Sequence, residues 1–245
     1  MSLNNSKPKP FLTAEWRYLV MLNYPVEQAL LEPHVPAGTL LDTYQGNAYV
    51  SVVGFLFLKT RVMGLAVPFH QNFEEVNLRF YVRRFSGEDW RRGVVFIKEI
   101  VPKLAIATIA RKLYNENYVA LPMSHKLETT HDRISLEYGW RLNERWNFLR
   151  AQAVGVPVVA RPGSLEEFIT EHYWGYVAQK DGGCVEYQVE HPRWQIWRAA
   201  EAALDCDVAA LYGEKFTSSL AASLTSAFIA EGSPVTVYRG VRIPP

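Results

Sequence analysis

The sequence predicts an α+β chain, mostly antiparallel β-strands with a few short helices, and three observations carry that expectation. The segment Phe73 to Val82 carries the clearest period-two signal, with Val76, Leu78, Phe80 and Val82 on one face and Glu75, Asn77, Arg79 and Tyr81 on the other. Two short strand-like runs, Tyr173 to Gln179 and Cys184 to Glu190, flank Lys180-Asp181-Gly182-Gly183, a strong hairpin signal. No repeat, linker or low-complexity stretch divides the 245 residues, so one domain over 1–245 is expected, with residues 1–10 a frayed tail.

Taken in order, Thr13 to Asn23 reads as a mostly buried strand. Pro25 and the run VEQALLEPHV read as a short helix that stops at PAG, 36–38. Ala48 to Lys59 is rich in Val and Phe and is expected to be a strand buried on both faces. Gly87 to Asp89 turns the alternating strand into an apolar one, Gly93 to Val101. After Pro102, Ile106, Ile109, Ala110 and Leu113 recur at helical spacing. Met123 to Ala153 reads as a meander with breaks near Thr130, Gly139 and Asn143. Ser164 and Glu167 form a capping-box pattern for a helix, LEEFITEH. Strands are expected at Tyr173 to Gln179 and Cys184 to Glu190. Helices are expected at Ala199 to Leu204 and Phe216 to Phe228, before a closing strand, Pro234 to Ile243.

Composition excludes several classes of function. With 26 basic and 25 acidic residues the net charge is +1, and no run of one sign suggests a nucleic-acid partner. The longest apolar stretches are too short to cross a bilayer as a helix. Cys184 and Cys206 lack CxxC spacing and read as passive thiols of a reducing, cytoplasmic setting. GxSxG, P-loop and GxGxxG patterns are absent, as are HExxH and Cys/His clusters, and His34, His70, His125 and His131 stand alone. No metal and no cofactor is expected.

The ordered segments EWRYLV (15–20), VPAG (35–38), EVNLRFYV (75–82), RRGVVFIKE (91–99), EHYWGY (171–176) and EHPRW (190–194) resemble the YqjF-like family of unknown function, DUF2071, over essentially the whole chain. That family is similar in fold to acetoacetate decarboxylase, so the resemblance implies a closed β-barrel around an internal pocket. In the decarboxylases the working lysine follows a segment of the type G-R-E-aromatic-G-x-P-K-K. The counterpart here is ARKLYNENYVALP, in which Arg111 matches the arginine and Tyr114 the aromatic residue. Tyr118 and Val119 stand where the paired lysines would be, and neither a phenol nor a valine forms an imine. The resemblance also places Glu75 in the pocket and gives Arg17 as a weak counterpart of an N-terminal pocket arginine.

These readings converge on a lumen lined by Glu75, Asn77, Arg79, Tyr81, Arg111 and Tyr118, an alternative being that the polar strand face meets solvent. Glu75, Arg111 and Tyr118 are the candidate catalytic residues. Glu75 would act as general acid or base and an arginine would hold an anionic group. Asn77, Arg79, Tyr81 and His172 are candidate ligand-binding residues. Glu171, His172, Glu190 and His191 would come together across the hairpin, either for proton transfer or as packing units. Lys98, placed by alternation with Val94, Phe96 and Ile100, is either a displaced amine nucleophile or a lysine reaching past its neighbours. The expected partner is a small, anionic carboxylate or carbonyl compound. An imine-independent lyase or hydratase, a non-catalytic binding protein and a filled structural barrel all remain open.

Overall fold

The structure, a computed structural model, describes residues 9–103 and 117–244. The expected helix after Pro102, with Arg111 in it, and the tail before residue 9 lie largely outside these residues. The described strands are β1 (Pro10–Val26), β2 (Leu40–Leu41), β3 (Ala48–Val62), β4 (Phe73–Phe85), β5 (Trp90–Val101), β6 (Tyr118–Ala120), β7 (Met123–Thr129), β8 (Arg133–Leu142), β9 (Arg145–Val154), β10 (Val158–Val159), β11 (Trp174–Ala178), β12 (Cys184–Glu190), β13 (Gln195–Asp205), β14 (Ser226–Tyr238) and β15 (Val241–Ile243). The described α-helices are short: α1 (Gln28–Leu31), α2 (Leu165–Thr170), α3 (Val208–Tyr212) and α4 (Thr217–Ala221).

The long strands are joined in the order β12-β11-β5-β4-β3-β1-β14, and β12 also pairs with β14 through Val189↔Val237 and Glu190↔Thr236. The pairing therefore returns on itself. From β14 the sheet continues outward through β13, β9, β8 and β7 and folds back over the outer face of the ring strands. Most neighbours are antiparallel, but β11 and β6 each run parallel to β5.

Period two sets up two cores from the same strands. Val76, Leu78, Phe80 and Val82 of β4 pack outward with Ile134, Leu136, Tyr138 and Trp140 of β8. The opposite faces of β1, β3 and β4 bring Leu19, Met21, Val53, Phe55, Phe57 and Tyr81 together inside the ring. The polar face of β4 is thus buried and turned inward, as expected for a lumen lining and not as in the solvent-facing alternative, and its register is the expected one. A one-residue slip would have exchanged the two faces.

Three expected elements differ. β1 runs on to Val26, which pairs with Ala48, so the first helix begins at Gln28 instead of Pro25. Ala199 to Leu204, rich in helix-forming Ala, Glu and Leu, is strand β13 because its backbone groups pair with β9 from Ala199↔Ala153 to Asp205↔Phe148. From Phe216 to Phe228 only Thr217–Ala221 is α-helical, and β14 begins at Ser226. Gly139 lies within β8 and marks no break; a Cβ there would meet Ser124 Oγ at 2.8 Å, so the glycine admits a close neighbour. The Ser164 cap is present, with its hydroxyl accepting from the Glu167 amide at 3.2 Å.

Candidate functional site

The ring encloses a cavity of about 330 Å³. Glu75, Asn77 and Arg79 of β4 line it, together with Tyr118 at the start of β6 and His172 after α2. The polar row that the alternation placed on one face is therefore gathered on one wall. Arg17 does not line the cavity and pairs instead with Glu15 at 3.0 Å. Arg111 lies outside the described residues.

Glu75 is buried and held from two sides. The Asn77 amide donates to one carboxylate oxygen at 3.0 Å and the Tyr118 hydroxyl to the other at 3.1 Å. Tyr118 thus presents a phenol to the carboxylate. Arg79 is 9% exposed. Its Nη2 lies 3.8 Å from Met21 Sδ and its guanidinium carbon 5.7 Å from the Tyr81 ring centre. Its Nε has no hydrogen-bond partner, and among the described residues no carboxylate pairs with the guanidinium.

Tyr81 points to the same interior but does not line the cavity. Its hydroxyl meets Ser51 Oγ at 2.5 Å, Ser51 in turn donates to Asn23 Oδ1 at 2.5 Å, and its ring packs 4.7 Å from that of His172. Tyr81 is a support for the wall.

Lys98 is not in the cavity. Leu78 pairs with Lys98 while the next residue, Arg79, pairs with Phe96, so Ile97 is an extra residue in β5. This bulge resets the alternation. Val94 and Phe96 face inward, Ile97 and Ile100 outward, and Glu99 turns in, opposite Asn77. Glu99 is a buried second acid in the cavity that strict alternation cannot find.

His172 is anchored by a residue that sequence reading also missed. Asp42 Oδ2 accepts from Arg92 Nε at 2.6 Å and lies 3.2 Å from His172 Nε2. Burial pushes the imidazole down to about 4 against the pull of Asp42, and the charges of Arg92 and Arg79 lower it further. Burial works to raise Asp42, but the hydrogen bonds from His172 and Arg92 prevail and hold it below the usual carboxylate range. The ring is therefore neutral near pH 7, with Nε2–H donating to the carboxylate. Of the expected Glu-His cluster, Tyr173 donates to Glu171 at 2.7 Å and packs tilted against His191 at 4.7 Å, and the His191 ring stacks on Trp194 at 4.1 Å. Among the described residues no group of three His, Cys, Asp or Glu side chains could hold a metal ion.

A pH dependence follows. Between about pH 6.5 and 4 the unfolded chain binds a proton at residue 172 that the native state refuses, so stability must fall as pH falls through that window. Asp42, lowered in the native state, reinforces the loss at more acid pH. Denaturant midpoints measured from pH 7.5 to 4 should decline, and His172→Gln should flatten the decline. An unchanged slope in the variant would show that His172 is not the linked group.

Burial also raises the two free thiols, Cys184 to about 11 and Cys206 to about 12, which leaves them protonated and unreactive at neutral pH. No helix among the described residues is long and apolar enough to cross a membrane.

The comparisons with known proteins agree with this fold. The chain is 27% identical over 186 residues to the uncharacterized protein YqjF of Bacillus subtilis strain 168, covering 75% of this chain and 74% of that one. The crystal structure of acetoacetate decarboxylase from Legionella pneumophila superposes with a TM-score of 0.63 at 13% identity, over 99% of this chain and 90% of that one. The enduracididine biosynthesis enzyme MppR, solved in complex with pyruvate, superposes with a TM-score of 0.65 at 13% identity, over 97% and 91% of the two chains. The two solved structures share the fold. The profile of DUF2071, an uncharacterized conserved protein family, matches residues 13–234, and this chain belongs to that family.

Proposed function

We propose that the ring of strands closes as a barrel around a binding lumen for a small carboxylate, and that any reaction there proceeds without an imine. The observation that carries this reading is Arg79, a buried guanidinium beside an open cavity whose Nε has no partner and which pairs with no carboxylate among the described residues. Burying an uncompensated cation is costly, and an anionic guest removes that cost. MppR, of the same fold, binds pyruvate, an acid of the proposed class.

With a carboxylate on Arg79, Glu75 lies two and four residues along the same strand face from Asn77 and Arg79, where it can take or return a proton at the carbon or oxygen next to the anchored group. That arrangement suits enolisation, hydration or elimination. A second reading, a binding protein without turnover, is favoured by the engagement of both Glu75 oxygens with Asn77 and Tyr118.

A two-armed experiment tests the proposal. Short keto and hydroxy acids should raise the melting temperature while the matched amides do not, because a ligand selective for the native state stabilises it by mass action. Borohydride reduction in the presence of acetoacetate should leave the protein mass unchanged. Equal stabilisation by amides would remove the anionic guest, and a stoichiometric adduct on lysine would remove the imine-free chemistry.

A further inference from the structure

We propose that the natural ligand is an amphipathic acid, a carboxylate carrying an apolar body of roughly eight to twelve heavy atoms, and not a three- or four-carbon acid. This rests on the reading of Arg79 as the carboxylate anchor and concerns what fills the rest of the cavity.

The wall is graded from polar to apolar along one direction. On β4 the inward residues run Arg79, Asn77, Glu75, Phe73. Their partners across β3 run Ser51, Val53, Phe55, Phe57. Six residues separate Arg79 from Phe73, roughly 20 Å at about 3.4 Å per residue. Beyond Glu75 the lining becomes aromatic: Trp16 packs 5.5 Å from Phe55 and 5.8 Å from Phe57, and Phe57 stacks on Phe73 at 4.7 Å. An acid of a few carbons anchored at Arg79 would leave that apolar stretch empty or wet.

Size points the same way. The cavity, about 330 Å³, is roughly twice the ~150 Å³ of an apolar cavity that accommodates benzene. It falls at the lower end of the roughly 300–1,000 Å³ of drug-sized ligand sites.

The far end of the gradient opens beside an unusual surface. Val67 and His70, in the loop between β3 and β4, line the cavity. The same loop exposes Met63 and Leu65, each at 72%, and Phe69 at 89%. Large apolar side chains at this exposure are costly to keep in water without a purpose, and clustered patches of them mark binding or entry surfaces. A mouth of this kind suits a guest that enters tail-last from an apolar phase or carrier, its carboxylate travelling ahead toward Arg79.

Calorimetric titration with butanoate, hexanoate, octanoate and decanoate tests the proposal, alongside octanamide. Each methylene that enters the apolar stretch should tighten binding about four-fold, until the cavity is full, and octanamide should bind far more weakly than octanoate. Val67→Asp, at an exposed position of the mouth, should weaken decanoate at least ten-fold and weaken butanoate much less. Affinity independent of chain length, with short acids still bound through Arg79, would overturn the amphipathic guest and leave the carboxylate site intact. A Val67→Asp variant that binds decanoate as wild type does would overturn the tail path. If no acid of any length binds, the carboxylate reading falls with it.

Discussion

Arg79→Met is expected to lose the stabilisation by carboxylic acids completely while leaving the unliganded protein as stable as the wild type, or more so. A guanidinium that pairs bidentately with a buried carboxylate contributes through charge-assisted hydrogen bonds. Removing one partner of such a pair costs about 2–5 kcal/mol, or 30-fold and upward in affinity. The free protein should not suffer in proportion. Among the described residues the Arg79 Nε has no hydrogen-bond partner, no carboxylate pairs with the guanidinium, and the side chain meets Met21 and Tyr81, so methionine replaces it among apolar neighbours and removes the burial of a charge. Isothermal titration with an acid that stabilises the wild type, and chemical denaturation without ligand, separate the two effects. A variant that unfolds readily and a wild type that no acid stabilises would together show that Arg79 is a structural cation.

The strand carrying Arg79 was the most legible part of the sequence. β4 keeps its period of two from Glu75 to Val82, and nothing in its pairing with β3, from Phe73↔Phe57 to Phe80↔Val50, interrupts the register. Its neighbour was not legible. One extra residue at Ile97 shifts every later side chain of β5 to the other face, and no residue type announces such a bulge, so alternation offered Lys98 as an alternative nucleophile and missed Glu99, which lines the cavity. β13 was misread for a different reason. Its alanines are good helix formers, but pairing with β9 and β14 supplies all along one strand what an isolated helix of six residues cannot supply itself. Asp42 was invisible because its partners, Arg92 and His172, are brought to it from strand β5 and from the segment after α2.

Gly232→Ala is the second substitution with a large expected effect, here on the fold. Gly232 sits in β14 with φ +80°, opposite Arg17 where β1 is irregular. A Cβ at this position would lie 2.0 Å from the Trp16 carbonyl oxygen, a backbone atom that cannot turn aside. The positive φ adds roughly 1 kcal/mol or more for any other residue, and the forced separation of β1 from β14 adds the cost of broken ladder bonds. A loss of about 3 kcal/mol or more is expected, a fall of some 6–12 °C in melting temperature for a domain of this size. Trp16 is the aromatic hub of the cavity wall, packed against Phe55, Phe57 and Trp194. Any folded Gly232→Ala protein should therefore also bind long acids less well than short ones. Wild-type stability in the variant would mean that β1 and β14 do not approach as closely as the register requires.

The most direct test of the central claim, that Arg79 anchors a carboxylate inside the ring of strands, is a crystal structure with a bound acid such as octanoate. The carboxylate should lie within about 3 Å of the guanidinium nitrogens of Arg79, with the chain running past Glu75 toward Phe57 and Phe73. A carboxylate held at the mouth near His70, with Arg79 untouched and the interior occupied by the tail alone, would contradict it.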